Sequence, residues 1–297
     1  MATTSVRSEP PLIVIVGPTA SGKTALAIEL AEQFGGEIIC ADSRTIYKGM
    51  DVGTAKPTAY ERQLVPHWGL DLVEPGQRFT AADFQQYARA KIKDIRSRNK
   101  IPMLVGGTGL YIDSVLFDYS FGPDRDEKQR LELEQMDIQE LHRYCVSNNI
   151  SLPQNKYNKR YVIRSIEQNM INNSSSRKPI SNSIIVGIAT EKEELRTKIK
   201  DRCEQLFTNG VVEETKMLGN KYGWNSEAMT ANIYRLIHMY EEGMMSYDEL
   251  RQQAVTKDWQ LAKRQLTWFK RNTFIKWLSL DEANKFFVRE LESLRVP

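Results

Sequence analysis

Eight residues near the start of the chain have the types and spacing of a phosphate-binding loop (P-loop). Two glycines separated by four residues precede a lysine and a threonine, after an apolar run and before a helical pattern. In such a loop the backbone N–H groups surround a phosphate, the lysine supplies a positive charge, and the threonine hydroxyl is a ligand for Mg²⁺. The candidate diphosphate-binding residues are Gly17, Pro18, Thr19, Ala20, Ser21, Gly22, Lys23 and Thr24, with Thr24 as the metal ligand. The motif predicts a bound di- or triphosphate and leaves the reaction open.

Two polar residues follow other apolar runs, at points where neighbouring strands would end. Asp42 comes directly after the run 38–41, and Thr108 lies between two glycines after the run 101–105. A carboxylate beside a phosphate site can accept a proton from an attacking group, so Asp42 is a candidate base. It could equally be a helix cap or an outer ligand of Mg²⁺. Thr108 either contributes its hydroxyl at the same rim or belongs to a simple tight turn.

The spacing of apolar residues predicts a doubly wound α/β fold with a parallel sheet. Continuous apolar runs of the kind found in buried parallel strands occur at 12–16, 38–41, 101–105 and 184–188. Helical periodicity occurs between them at 25–34 and 80–98. Ligands bind at the carboxyl ends of the strands in such sheets. We therefore expect the P-loop, Asp42 and Thr108 at one edge of the sheet.

The middle of the chain differs from its two ends. Residues 121–183 contain no strand-like run; an acidic helical pattern at 124–142 is followed by a basic and polar segment. We predict a P-loop core whose first part is 1–120 and whose completion, with basic C-terminal helices, is 184–297. A small helical insertion at 121–183 separates the two parts. Beyond Thr190 the pattern is helical to the end of the chain.

Composition and charge narrow the class of protein. Of 297 residues, 41% are hydrophobic and 27% are charged, as in folded domains, and no run approaches the ~20 apolar residues of a membrane span. The net charge of +3 conceals two basic blocks, at 154–183 and 251–277, on an otherwise acidic chain. Such blocks favour a polyanionic partner, although solvated helix faces would give the same pattern. Three widely separated cysteines indicate a reducing, cytoplasmic location, and we expect a monomer that contacts no membrane.

Several segments of the chain carry more specific patterns. They include Asp42-Ser-Arg44, Gly53-Thr-Ala-Lys-Pro57, Val105-Gly-Gly-Thr-Gly-Leu-Tyr111, Ala262-Lys-Arg-Gln265 and Thr267-Trp-Phe269, besides the P-loop itself. Together and in this order they resemble the tRNA dimethylallyltransferases, which prenylate N6 of an adenine in the anticodon loop. The resemblance is dense over residues 12–112 and patchier over 155–277.

The resemblance implies that an adenine N6 amine in a tRNA anticodon stem-loop attacks C1 of dimethylallyl diphosphate and that pyrophosphate leaves. It implies three catalytic residues: Asp42 as the base, Thr108, and Arg202 as a cation on the diphosphate, although Arg202 could be an ordinary helix-surface arginine. Mg²⁺ would neutralise the leaving group further. The implied tRNA-binding residues, which include part of the insertion, are Ser43, Arg44, Arg160, Arg164, Gln260, Lys263, Arg264 and Gln265.

Three positions depart from the family pattern. Thr45 replaces a glutamine, and Tyr161 and Trp259 each replace an arginine. The family uses these positions to bind RNA, so one alternative that the resemblance leaves open is a divergent paralogue with a shifted RNA preference, and another is transfer to a free adenine nucleotide. Two other classes share the general features: a P-loop phosphotransferase of the nucleotide-kinase type, and an RNA-binding protein that uses only the basic blocks.

Overall fold

A computed structural model of the chain describes residues 9–121, 127–169 and 178–294. The chain divides into two compact units, a larger one of Met1–Leu116 with Pro179–Pro297 and a smaller one of Phe117–Lys178. The start of the acidic helical pattern at 124 and the polar segment at 170–177 lie outside the described residues.

A parallel sheet forms the centre of the larger unit. Its strands are β1 (Leu12–Val16), β2 (Gly36–Ala41), β3 (His67–Trp68), β4 (Ile101–Gly106), β5 (Ser183–Ile188) and β6 (Lys276–Leu278). They lie in the order β3-β2-β4-β1-β5-β6, and every neighbouring pair is parallel, which confirms the predicted fold class. The prediction that the chain is helical throughout beyond Thr190 was wrong at β6. The edge strands β3 and β6 have two and three residues, too few for an apolar run to stand out in sequence.

Helices cover both faces of the sheet and build the smaller unit. They are α1 (Lys23–Phe34), α2 (Ala59–Leu64), α3 (Ala81–Ser97), α4 (Gly109–Leu116), α5 (Glu127–Gln135), α6 (Ile138–Ser147), α7 (Lys159–Asn169), α8 (Lys192–Thr208), α9 (Val211–Tyr222), α10 (Asn232–Glu241), α11 (Tyr247–Phe269) and α12 (Leu280–Ser293), with a 3₁₀ turn at Ala228–Thr230. Helices α1 and α12 pack against one sheet face, in a core that contains Leu30, Phe34, Phe287 and Leu291.

The register of the sheet brings three loops to one edge. All five residues of β1 are buried between β4 and β5. Gly106, the last residue of β4, is aligned with Val16 of β1 on one side and with Ala41 of β2 on the other. Because parallel strands point the same way, the P-loop and the loops that begin at Asp42 and Gly107 leave the sheet side by side.

The smaller unit has its own hydrophobic core and contains helices α5, α6 and α7. Leu133, Leu141, Cys145 and Ile166 are among its buried residues. The sequence predicts one helix over 124–142, and the structure corrects this to two: the first ends at Gln135, and Asp137 caps the start of the second. The Asp137 side chain accepts a hydrogen bond from the Glu140 N–H, and the Glu140 carboxylate accepts one from the Asp137 N–H.

Two further properties of the described residues bear on the class of protein. Among residues 9–121, 127–169 and 178–294, no helix is long and apolar enough to cross a membrane. Cys40, Cys145 and Cys203 are buried as free thiols. Burial raises the pKa of Cys40 and of Cys203 to about 12, so both thiols stay protonated near neutral pH.

Candidate functional site

A cavity of about 720 Å³ opens at the carboxyl edge of the sheet. The P-loop residues Thr19–Thr24 form one part of its wall, and the loops after β2 and β4 form another. Helices α8 and α11 close it with Arg202, Asp258 and Gln265. The three sequence segments predicted to carry chemistry therefore face one space, together with two helices from the other end of the chain.

The start of helix α1, at the end of the P-loop, has N–H groups that no side chain caps. Helix α1 begins directly after Gly22 with no side-chain cap and no acidic residue in its first turn. The Ser21 hydroxyl is buried without a hydrogen-bond partner among the described residues. Helix N-terminal N–H groups that no side chain satisfies are a ready site for phosphate oxygens. The arrangement fits a diphosphate group.

Lys23 extends back across the P-loop. Its Nζ donates to the Pro18 carbonyl oxygen at 2.9 Å. Burial, followed by the positive charge of Arg202, lowers the pKa of Lys23 from 10.5 to about 8, and the Asp42 carboxylate opposes this shift. Two cations and one carboxylate are thus close enough to influence one another. An anion between Lys23 and Arg202 would relieve their repulsion.

Arg202 of α8 reaches the P-loop from the opposite wall. Its Nη1 donates to Thr19 Oγ1 at 2.6 Å and to Asp258 Oδ2 of α11 at 3.0 Å. The side chain is one-quarter exposed. Arg202 is therefore a residue of the cavity, held by two partners at the rim of the phosphate loop.

Asp42 and Thr108 lie at the ends of neighbouring strands. Asp42 Oδ1 accepts a hydrogen bond from the Arg44 N–H at 2.8 Å, and Thr108 Oγ1 accepts one from the Ser43 N–H at 3.0 Å. The Thr108 N–H donates to the Ala41 carbonyl at 3.2 Å. These bonds hold both residues at the wall of the cavity that the P-loop also lines.

Gln265 of α11 lies beneath the P-loop. Its Oε1 accepts a hydrogen bond from the Thr19 N–H at 2.8 Å. A Cβ at position 107 would collide with Gln265 Nε2, and a Cβ at position 109 would collide with the Trp268 ring. The two glycines beside Thr108 thus let α11 approach the strand ends closely. In this position Gln265 supports the phosphate loop, whereas the sequence analysis predicts that it contacts tRNA.

The remaining predicted tRNA-binding residues fall into three groups. Ser43 and Arg44 line the cavity, and Arg44 also donates to the Glu227 carbonyl at 2.9 Å and to Thr230 Oγ1 at 3.1 Å. Lys263 and Arg264 are exposed on α11, where Arg264 reaches the cavity. Gln260 is half-buried on the same helix, and Arg160 and Arg164 are exposed on α7 of the smaller unit.

The three positions that depart from the family pattern have different surroundings. Thr45 is buried, and its hydroxyl donates to the Asp42 carbonyl at 3.4 Å. Tyr161 is half-exposed on α7. Trp259 is half-buried on α11, with the Arg196 guanidinium 4.9 Å from its ring centroid.

Sequence reasoning missed three acidic or basic residues around the site: Lys198, Asp258 and Glu214. Lys198 and Asp258 line the cavity. Glu214 of α9 accepts hydrogen bonds from the N–H groups of Asp51, Val52 and Gly53 at 2.7–2.8 Å, and from the Tyr234 hydroxyl at 2.8 Å. It anchors the loop whose next residues form the cavity wall. The helical periodicity of these segments marks buried faces but says nothing about which strand loop they meet.

Fold and site together define a parallel α/β protein in which a P-loop and a carboxylate line one cavity. The IPP transferase family matches residues 45–272, and the isopentenyl transferase family matches residues 10–71. The match to IPP transferases covers most of the chain. The chain belongs to the IPP transferase family.

Individual relatives agree with this assignment. The tRNA dimethylallyltransferase of Geobacillus kaustophilus is 37% identical over an alignment of 297 positions that covers 95% of this chain and 94% of the relative. The full-length tRNA isopentenylpyrophosphate transferase of Bacillus halodurans superposes with a TM-score of 0.74 at 33% identity, over 96% of this chain and 98% of that one. A eukaryotic dimethylallyltransferase superposes with a TM-score of 0.74 at 23% identity, over 91% of this chain and 74% of that one, and shows the same fold.

Proposed function

We propose that this chain transfers a dimethylallyl group from dimethylallyl diphosphate to N6 of an adenine in the anticodon loop of a tRNA. The relatives at 33–37% identity are named for this type of transfer. The observation that carries the proposal is that Asp42, the P-loop and Arg202 line the same cavity. Many enzymes bind phosphate in a P-loop, but a carboxylate in the same cavity can also accept a proton from an attacking amine.

The residues of the cavity can assist both the bond that forms and the bond that breaks in this transfer. The adenine N6 lone pair forms a bond to C1 of the donor, and the C1–O bond breaks with its electron pair leaving on pyrophosphate. The P-loop amides, Lys23 and Arg202 stabilise the charge that develops on the leaving oxygen. Asp42 takes the N6 proton, while Thr108 Oγ1 and the Ser43 N–H keep that wall of the cavity in place.

The residues around Thr24 fit a divalent cation shared with the substrate. The Thr24 side chain lines the cavity, and its hydroxyl has no hydrogen-bond partner among the described residues. No group of three or more potential histidine, cysteine or acidic ligands occurs in the described part of the chain. Mg²⁺ is commonly held by one or two protein ligands together with substrate phosphates, so Thr24 and the diphosphate would share it. When bound, it would neutralise charge on the leaving pyrophosphate.

The acceptor would bind as a splayed loop. An adenine inside a stacked helix cannot reach a cavity at the end of a sheet, so the target base must leave its stack. Ser43, Arg44 and Arg264 line the cavity, and Lys263 is exposed beside Arg264. We propose these four residues as tRNA contacts, together with Gln260, Arg160 and Arg164, and we further propose that the enzyme acts as a cytoplasmic monomer.

The test is incubation of the purified chain with Mg²⁺ and dimethylallyl diphosphate labelled in the prenyl carbon. Parallel reactions contain an anticodon stem-loop RNA, the same RNA with guanine in place of the target adenine, or AMP, each with and without ATP. Label in the adenine stem-loop alone supports the proposal. Label only in AMP would indicate that the acceptor is a free nucleotide. Formation of ADP would indicate a kinase. Retention of RNA without incorporation of label would indicate an RNA-binding protein. Any of these three would overturn it.

A further inference from the structure

An acidic side chain lies inside the pocket proposed for a diphosphate. Asp258 of α11 lines the cavity, and its Oδ2 accepts a hydrogen bond from Arg202 Nη1 at 3.0 Å. Its side chain is 16% exposed, so the ion pair is largely removed from water. Burial raises the pKa of Asp258, while the Arg202 charge opposes that rise. An anion so placed repels any phosphate that Arg202 attracts.

The ion pair leaves part of Arg202 available. Both hydrogen bonds of Arg202 to described residues use Nη1, with Thr19 Oγ1 and Asp258 Oδ2 as the acceptors. A guanidinium has five N–H donors in a planar fork. The Nε and Nη2 donors have no partner among the described residues. A diphosphate can thus engage Arg202 without displacing Asp258, and the carboxylate would stay beside the bound anion.

Four of the charged side chains that line the cavity interact with one another around the P-loop, and their formal charges sum to zero. Lys23 and Arg202 are positive; the Asp42 carboxylate interacts with Lys23, and the Asp258 carboxylate pairs with Arg202. Without the Asp258 charge, Lys23 and Arg202 would attract a diphosphate, and of these four groups only the Asp42 carboxylate would repel it. One carboxylate therefore controls whether this inner set of four groups has a net positive charge.

We propose that Asp258 weakens the hold of the pocket on pyrophosphate by sharing Arg202 with it, while keeping the Arg202 guanidinium at the P-loop rim. The inference rests on the proposed function, in which the P-loop takes a diphosphate. Asp258 touches neither reacting atom. It is a positioning residue, and its negative charge lowers the affinity of the pocket for pyrophosphate. The lower affinity makes release of the product pyrophosphate faster after each transfer.

A purely structural role for Asp258 leads to the opposite expectation. If the carboxylate served only to place Arg202, any neutral substitute would misplace the guanidinium and weaken binding of pyrophosphate. If its charge competes with the ligand, Asp258→Asn removes that charge while it keeps the shape of the side chain and one acceptor oxygen for Arg202, and the affinity for pyrophosphate should rise. The sign of the change in affinity separates the two roles.

The experiment is calorimetric titration of the whole chain with Mg²⁺-pyrophosphate. We expect Asp258→Asn to bind pyrophosphate about 3- to 30-fold more tightly than the wild type, which corresponds to one nearby charge at partly screened distances. Asp258→Glu keeps the charge and should stay near the wild-type affinity. Asp248→Asn is the matched control, because it removes an exposed acidic charge from the first turn of the same helix.

A second readout follows turnover. Pyrophosphate should inhibit transfer by the Asp258→Asn variant at a lower concentration than it inhibits the wild type, by the same factor. If Asp258→Asn does not fold, as judged by its thermal unfolding, Asp258→Ser supplies a second neutral substitution. Equal or weaker binding by the folded neutral variant would overturn the inference and leave the proposed function standing. Failure of the wild type to bind Mg²⁺-pyrophosphate would overturn both.

Discussion

The backbone N–H of Thr19 donates to Oε1 of Gln265 at 2.8 Å, although the two residues are 246 positions apart. The bond joins the phosphate loop to the long helix α11, and the close approach of that helix requires the glycine at position 107. Thr19 also accepts from Arg202 through its hydroxyl. One residue of the P-loop is therefore held by two helices that follow the smaller unit in sequence.

Gln265→Ala should impair binding of dimethylallyl diphosphate more than binding of tRNA. The variant leaves the Thr19 N–H without its partner and opens space beneath the loop. Loss of one such hydrogen bond costs about 1–3 kcal/mol when the donor is left unsatisfied, or about 5- to 150-fold in KM for the diphosphate. Steady-state kinetics with each substrate varied in turn measures the difference. Gln253→Ala, on an exposed turn of the same helix, is the control; a larger effect on the KM for tRNA would instead support a direct RNA contact.

Asp42→Asn should abolish most turnover without weakening pyrophosphate binding. The amide preserves the oxygen that accepts from the Arg44 N–H but cannot take a proton from N6. General base catalysis of this kind is worth about 10²–10⁴ in rate. Single-turnover transfer measures the rate, and calorimetry with Mg²⁺-pyrophosphate checks the pocket. A rate within a few-fold of the wild type would remove Asp42 from this role.

The affinity for dimethylallyl diphosphate should fall as the pH rises through about 8, the lowered pKa of Lys23. The free enzyme loses the Lys23 proton above this pH, and the neutral amine no longer attracts the diphosphate. The bound anion favours the protonated form, so kcat/KM decreases with pH on the alkaline side. Lys23→Arg stays charged throughout this range, so its residual activity should lack this decrease. An identical alkaline limb in both proteins would assign the titration to another group.

Glu214→Gln should lower both the stability of the protein and its affinity for dimethylallyl diphosphate. The Glu214 carboxylate accepts three backbone N–H groups and the hydroxyl of Tyr234, whereas an amide has one acceptor oxygen and adds donors. We expect a loss of about 1–3 kcal/mol in the free energy of unfolding. Glu213→Gln, its exposed neighbour on α9, is the matched control. Denaturant unfolding and the KM of each variant test the prediction, which fails if Glu214→Gln unfolds and binds like the control.

Reversing the charges of Lys263 and Arg264 should flatten the salt dependence of tRNA binding. Both side chains are exposed on α11, and Arg264 reaches the rim of the cavity. Each phosphate contact contributes a slope of about 0.7–0.9 in a plot of log K against log salt, so the double variant should lose up to about two units of slope. Filter binding at several salt concentrations measures it. Lys285→Glu on α12 controls for net charge, and an unchanged slope in the double variant would make these residues a solvated helix face.

Elements with a strong local pattern could be predicted from the sequence. The sequence prediction for β1 matches the structure at both ends, because five consecutive apolar residues, four of them β-branched, are typical of a buried parallel strand. The single helix predicted over 124–142 failed because Asp137 and Glu140 form a capping box, a signal that a continuous acidic and apolar pattern conceals. The short strands β3 and β6 were missed because their place in the sheet depends on neighbours, and not on their own composition.

Local chemistry by itself determined the phosphate loop and its position between β1 and α1, because a few adjacent residues specify both the turn and the helix start. Only the tertiary structure decided what surrounds that loop. Gln265, Asp258 and Glu214 occur in helical segments whose periodicity marks a buried face, while their partners lie far away in sequence. A hydrogen bond between distant residues requires the helices to dock at a particular depth and rotation, which packing against the whole sheet sets.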